Sequence, residues 1–174
     1  MRGQGSDPQG REFLLGYNTS GFSRSHDIEK IIAWTAEAGF EAIEISFDPA
    51  HLMPDAARAR LDAVREACQR VRLAVACGAG GRHALGPVPH APAWVSSDPE
   101  ERRVREAFLA ASLAAAARLG SEVLVFHSGP RPAGVPEKTA WDRLREGLSR
   151  LIDLAGEEGV RLAIEFHPSM LVRD

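Results

Sequence analysis

The sequence predicts an α/β fold built on a parallel sheet, and three observations carry that expectation. Five short runs rich in Val, Ile, Leu and Phe, at 13–17, 42–47, 72–77, 122–127 and 161–166, have the length of strands rather than helices. Four longer segments with helically spaced apolar residues lie between them. Three helix-to-strand joins, AGFEAIEI, LGSEVLVF and EGVRLAIE, repeat one pattern: a glycine at the helix end, then a strand two or three residues later. The resulting β-α-β-α-β-α-β-α-β order is that of a parallel sheet with right-handed crossovers. It is met by an open doubly wound sheet or by part of a (β/α)8 barrel.

Each element has its own signals. The first strand is FLLGY. The first helix spans 27–38, with Ile28, Ile31, Ile32 and Thr35 on one face and Gly39 just past its end. In the second strand Ile43 and Ile45 point one way, while Glu44, Ser46 and Asp48 point the other. The second helix, 54–70, has Leu61, Val64 and Cys68 on its inner stripe. The third helix has the clearest start: Asp98 caps it, Pro99 suits its first position, and Glu101 completes a capping-box pattern. Its apolar face is Val104, Phe108, Ala111, Ala115 and Leu119, and Gly120 ends it. The fourth helix begins near Thr139, carries Leu144, Leu148, Leu151 and Ala155, and stops at Gly159.

Composition limits the function classes. The 174 residues are 44% hydrophobic and 26% charged, which excludes a wholly disordered chain. No apolar run reaches the roughly 18 residues that a membrane span needs. A net charge of −3 gives no electrostatic reason for nucleic-acid binding. Two cysteines, Cys68 and Cys77, are too few for a disulfide scaffold and suit a reducing, cytoplasmic setting. Residues 1–10 are polar and Gly-rich and read as a flexible tail, leaving 11–174 as one domain. A full barrel needs about 250 residues, so a barrel reading leaves two unpaired sheet edges. Such edges are an aggregation hazard unless a partner covers them, and self-association is the expected remedy.

Parallel strands are usually apolar on both faces, so polar residues at their C-terminal ends need a reason. Active sites of α/β folds lie at that end. Glu165 ends the run RLAIE and is either a loop-capping carboxylate or a metal ligand or general base. His127 follows EVLVF, aligned with Val123 and Val125. It is either a buried histidine bonded to a loop carbonyl, or a contact to a substrate hydroxyl or metal. Glu44 is either a carboxylate paired with an arginine or a substrate contact. His167 aligns with Ala163 and Glu165 if the fifth strand continues. After the third strand, CGAGGRHALGPVPHAPAWVSSDP reads as an ordered loop of about 20 residues, a length usually tied to function. Within it Arg82 binds an anion or is solvated, His83 lies close to the strand, and Trp94 covers a substrate or packs. His26, His51 and His90 read as solvated loop residues. No G-x-S-x-G, Walker, paired CxxC or HExxH motif occurs.

The stretches LLGYNTSGF, AGFEAIEISFD, GAGGRHALGPVPHAP, LGSEVLVFHSGP and GVRLAIEFHPSM, in this order and spacing, carry a resemblance over nearly all of the chain beyond the tail. It resembles the sugar phosphate isomerase/epimerase group of the xylose isomerase-like TIM-barrel superfamily, which also holds endonuclease IV-type nucleases. The resemblance implies a (β/α)8 TIM barrel, here truncated after the fifth strand, with a divalent ion (Mn, Mg, Co or Zn) at its C-terminal face. It implies Glu165 as metal ligand and base, and His127 as a contact to substrate or metal. Glu44, Arg82 and His83 become candidates for binding a small-molecule sugar or sugar phosphate. The implied reaction is metal-assisted proton transfer next to a carbonyl. The family's other ligands come from strands six to eight, which lie outside this sequence, and Leu171 stands where many epimerases carry a second Glu. The nuclease branch implies phosphodiester cleavage at a multinuclear zinc site using His127 and Glu165, against which the acidic balance counts. A third expectation is an inactive remnant, since catalytic zinc sites generally have three protein ligands.

Overall fold

The computed structural model describes residues 13–22, 25–80 and 83–173. The predicted tail and Arg82 lie outside the described residues. Five strands alternate with four α-helices: β1 (Gly16–Asn18), α1 (Ile28–Glu37), β2 (Ala42–Ser46), α2 (Arg58–Arg70), β3 (Ala74–Gly78), α3 (Pro99–Leu119), β4 (Val123–Phe126), α4 (Glu137–Glu158) and β5 (Arg161–Ile164). All four pairings are parallel, and the strand order β1-β2-β3-β4-β5 follows the chain. A doubly wound sheet reverses its order at a switch point. This one does not, so the sheet is a partial (β/α)8 barrel wall.

The two faces of that wall differ as the alternation requires. Ile43, Ile45, Cys77, Leu124 and Phe126 are buried beneath the helices. Their alternates Glu44, Ala76, Val125 and Ala163 are half-buried on the opposite face. Gly120 and Gly159 cap α3 and α4 in the left-handed conformation, matching the predicted stops. Asp98 caps α3 through Glu100 N (2.8 Å), but Glu101 turns to the Ser96 hydroxyl instead of completing a capping box.

Three boundaries depart from expectation. β1 starts at Gly16 and not at Phe13. It is an edge strand whose only neighbour, β2, begins at Ala42, so Phe13, Leu14 and Leu15 stay exposed. Residues 54–57 form a turn before α2, with Ala56 N donating to Met53 O (3.2 Å) and Ala57 extended. The stripe of α3 also differs: Val104 is 41% exposed, while Arg105 is buried. That helix packs on the sheet, on both neighbouring helices and on the preceding loop, which broadens its buried face. Trp94 is a core residue, edge-on to Phe126 at 5.7 Å. The open β5 edge carries an apolar groove of about 680 Å³ along Leu148, Ile152, Leu162 and Ile164. Among the described residues no helix is long and apolar enough to cross a membrane.

Candidate active site

The parallel strands end on one rim, and there the uncovered face opens into a cleft of about 640 Å³. Strand ends supply Asn18, Glu44, Ser46, Val125 and His127 to it, and the segment after β5 supplies Glu165, His167 and Ser169. The β3–α3 loop closes one side with Pro89 and His90. Glu44, His127 and Glu165, expected from the sequence, therefore meet in one place.

The centre of the cleft is the His127–Glu165 pair. The β4–β5 ladder runs on past its last paired residues, because Glu165 N donates to Phe126 O (2.9 Å). That bond sets the two residues side by side. His127 Nδ1 lies 3.2 Å from the Glu165 carbonyl oxygen. A carbonyl only accepts, so Nδ1 carries the proton and the neutral ring offers a lone pair at Nε2. That lone pair faces Glu165 Oε2 at 3.5 Å. Two acceptors facing one another are stable with a cation between them, either a proton on Nε2 or a metal ion. The bond to a loop carbonyl expected as one alternative for His127 is present, and it leaves Nε2 facing the cleft.

The end of β3 and the residues just past it make room for both neighbouring side chains by lacking their own. A Cβ on Gly80 would sit 2.7 Å from His127 Cδ2, and one on Gly78 would strike the Glu44 carboxylate. The two glycines let Glu44 from β2 and His127 from β4 lean over the central strand. Asn18 Oδ1 accepts from Ser46 Oγ (2.9 Å) and from Ser20 N (2.8 Å), which fixes the amide at the cleft wall.

Burial pushes the Glu44 carboxyl above the usual range, opposed by a hydrogen bond with Asn18 and reinforced by the Glu165 charge. Its partner is an amide, where one of the two alternatives read from the sequence had an arginine. The folded state then favours protonated Glu44. The stability it contributes is complete below its ordinary value of 4.5 and is lost as pH rises through the raised value. Glu44→Gln is therefore expected to melt higher than the parent at neutral pH, with the difference closing below about pH 4. Thermal melts in chelator across that range check this, and a variant melting lower at pH 7 refutes it.

The structure corrects other expectations. His90, read as solvated, lines the cleft with its ring edge-on to His127 at 5.7 Å. His83 is not among the described residues that line the cleft. His167 lines it too, with Nδ1 accepting from Ser169 N (3.2 Å), although β5 ends before it. Leu171 is buried, its N–H donating to Gly129 O (2.9 Å), so that position serves the core. Asn18, His90 and Ser169 were not singled out from the sequence: Asn18 reaches the cleft from the end of β1, while the placement of His90 and Ser169 depends on loop paths.

The Glu165–His127 pair fits one edge of a divalent ion's shell. Ligands at about 2.0–2.2 Å from an ion lie about 3.0–3.5 Å apart by simple trigonometry, the spacing seen here. Among the described residues no set of three or more His, Cys, Asp or Glu converges closely enough to hold an ion. The described residues thus offer two donors.

The sequence profile of the xylose isomerase-like TIM barrel family matches residues 32–173. The chain belongs to that family. No curated protein sequence matches it significantly. Among solved structures, this xylose isomerase-like chain resembles a D-psicose 3-epimerase crystallised in the presence of D-fructose, at 22% identity and a TM-score of 0.72, covering 88% of this chain and 52% of that one. An L-ribulose 3-epimerase follows at 25% identity and 0.68, covering 88% and 49%. The 3-keto-D-glucoside 4-epimerase of E. coli follows at 15% and 0.70, covering 90% and 57%. The likeness is one of fold, and this family member spans about half the length of these proteins.

Proposed function

We propose that this protein acts as a sugar isomerase or epimerase, moving a proton on the carbon next to a carbonyl. The observation that carries this reading is the Glu165 carboxylate facing His127 Nε2 at 3.5 Å on the rim where the fold family places its chemistry. The sugar 3- and 4-epimerases that share the fold support it. Glu165 takes and returns the proton. With His127 it holds a divalent ion, which when bound supplies polarisation of the carbonyl oxygen. Nitrogen and oxygen donors together suit Mn²⁺, Co²⁺ or Zn²⁺, while Mg²⁺ prefers oxygen alone. Glu44 binds a substrate hydroxyl beside them, and Ser46 and Asn18 extend the polar wall.

The cleft lining favours an uncharged polyol. Two carboxylates and three histidines line it, and no lysine or arginine does among the described residues. A phosphodiester would meet like charge there, which counts against cleavage of a nucleic-acid backbone.

The test is deuterium incorporation from D₂O into D-psicose, D-fructose and L-ribulose, read by mass spectrometry. The protein is loaded in turn with Mn²⁺, Co²⁺, Zn²⁺ or Mg²⁺. Incorporation that appears with metal and disappears with chelator is the expected result. Metal retained without exchange into any of these ketoses overturns the reading.

A further inference from the structure

The wall formed by the β3–α3 loop is held from outside the cleft. Arg105, in the second turn of α3, is buried, and its partners are carbonyl oxygens of that loop. Its Nε donates to Pro92 O (2.9 Å) and one Nη to His90 O (3.3 Å). Its guanidinium carbon lies 5.6 Å from the Phe108 ring centroid. Burial pulls its pKa down to about 10, which still leaves it charged at neutral pH. Two further arginines fasten the loop where it joins α3: Arg102 donates to Ser96 O (2.7 Å) and Arg143 to Val95 O (3.1 Å).

What this clamp holds is unusual backbone. His90 has φ +57, in the left-handed region that residues with a Cβ seldom occupy. Such conformations persist where the surroundings over-determine them, and they cluster at functional sites. Here the surroundings are the fork of Arg105 on the carbonyls of residues 90 and 92. The consequence lies in the cleft, where the His90 ring stands edge-on to His127 (interplanar angle 86°). His127 is then bounded on three sides: by His90, by the Glu165 carbonyl at Nδ1 (3.2 Å), and by the bare backbone of Gly80.

We propose that Arg105 is a positioning residue. Without touching the cleft, it fixes His90 as the wall that a substrate meets and against which the His127 imidazole is set. The proposal rests on the reading of the cleft as a sugar site. It adds that the part of this loop over 90–96 is a fixed wall, not a closing lid, and that its specificity is set from α3. Only arginine presents a rigid fork to two carbonyls at once; lysine keeps the charge as a single point.

The test reads the six histidines directly, by imidazole ¹H–¹³C correlation spectra of the full chain, assigned with His90→Gln and His127→Gln. In Arg105→Met the His90 and His127 signals are expected to shift together, while those of His26 and His51 stay. Arg105→Lys is expected to give intermediate shifts. Unmoved His90 and His127 in folded Arg105→Met, or equal movement of all the histidines, overturns the proposal. If Arg105→Met does not fold, Arg105→Lys and His90→Gln decide. Arg105→Lys must move His90, His90→Gln must move His127, and failure of either overturns it. Because these spectra need no turnover, a wild-type chain that exchanges no ketose proton sinks the proposed reaction alone. Where exchange occurs, Arg105→Lys should raise KM for the ketose more than it lowers kcat, since it loosens a binding wall and leaves Glu165 in place.

Discussion

Glu165→Gln is expected to abolish metal retention and to lower proton exchange by about 10²–10⁴-fold, the usual contribution of a positioned base. The amide keeps the size and shape of the carboxylate, so packing is untouched. It loses the negative charge that faces His127 Nε2 at 3.5 Å and, with it, the proposed acceptor of the substrate proton. The backbone of residue 165 goes on bonding to Phe126 and to His127 Nδ1, so the histidine keeps its tautomer. With the side chain 59% exposed, stability should change by less than about 0.5 kcal/mol. Elemental analysis after loading and desalting, beside thermal melts, measures both quantities. A variant that binds metal as the parent does would place the ion elsewhere in the protein.

Gly80→Ala should weaken metal binding by about 10–100-fold, the range found when the support of a ligand is disturbed. The added methyl would lie 2.7 Å from His127 Cδ2 and 2.9 Å from Nε2, inside the contact distance of any real Cβ. The imidazole must rotate or lift, and either movement strains its bond to the Glu165 carbonyl. The methyl faces the open cleft and not the core, so folding is largely spared while the ligand pair is broken. Metal titration of Gly80→Ala measures this, and an affinity equal to that of the parent shows that His127 is no ligand. Gly78→Ala acts on the other arm of the site by displacing Glu44. It should perturb substrate binding more than metal binding.

Much of this was readable from local chemistry. Alternation assigned Ile43 and Ile45 to the core and Glu44 and Ser46 to the opposite face, as observed. A strand's side-chain period is fixed at two. Asp98 and Pro99 announced the start of α3, and Gly120 and Gly159 the ends of α3 and α4, because caps answer to backbone groups a few residues away. That Glu165 and His127 would sit together on the rim was legible for a similar reason: charge and imidazole at the end of an apolar strand stand out against their neighbours.

What failed were readings that depended on distant partners. The first strand was placed three residues early because apolar residues alone do not make a strand; the ladder with β2 decides where pairing begins. Arg105 was passed over because a charged residue on a helix is usually solvated. Its burial depends on two carbonyls, 13 and 15 residues back in the chain. His90 was assigned to solvent because nothing near it in the sequence indicates that the loop folds back over β4.

The sequence by itself determined the class of fold, the order of its elements and the rim on which its polar residues would gather, since each follows from periodicity and capping over a few residues. Periodicity alone left an open sheet and a barrel wall as alternatives; the family resemblance implied the barrel, and the unreversed strand order bears it out. The tertiary structure alone revealed that Gly78 at the end of β3 and Gly80 just past it make space for Glu44 and His127, and that an arginine outside the cleft bonds to the carbonyls of one of its walls. Those are matters of contact between segments far apart in the chain, and contact is set by packing, which no local pattern encodes.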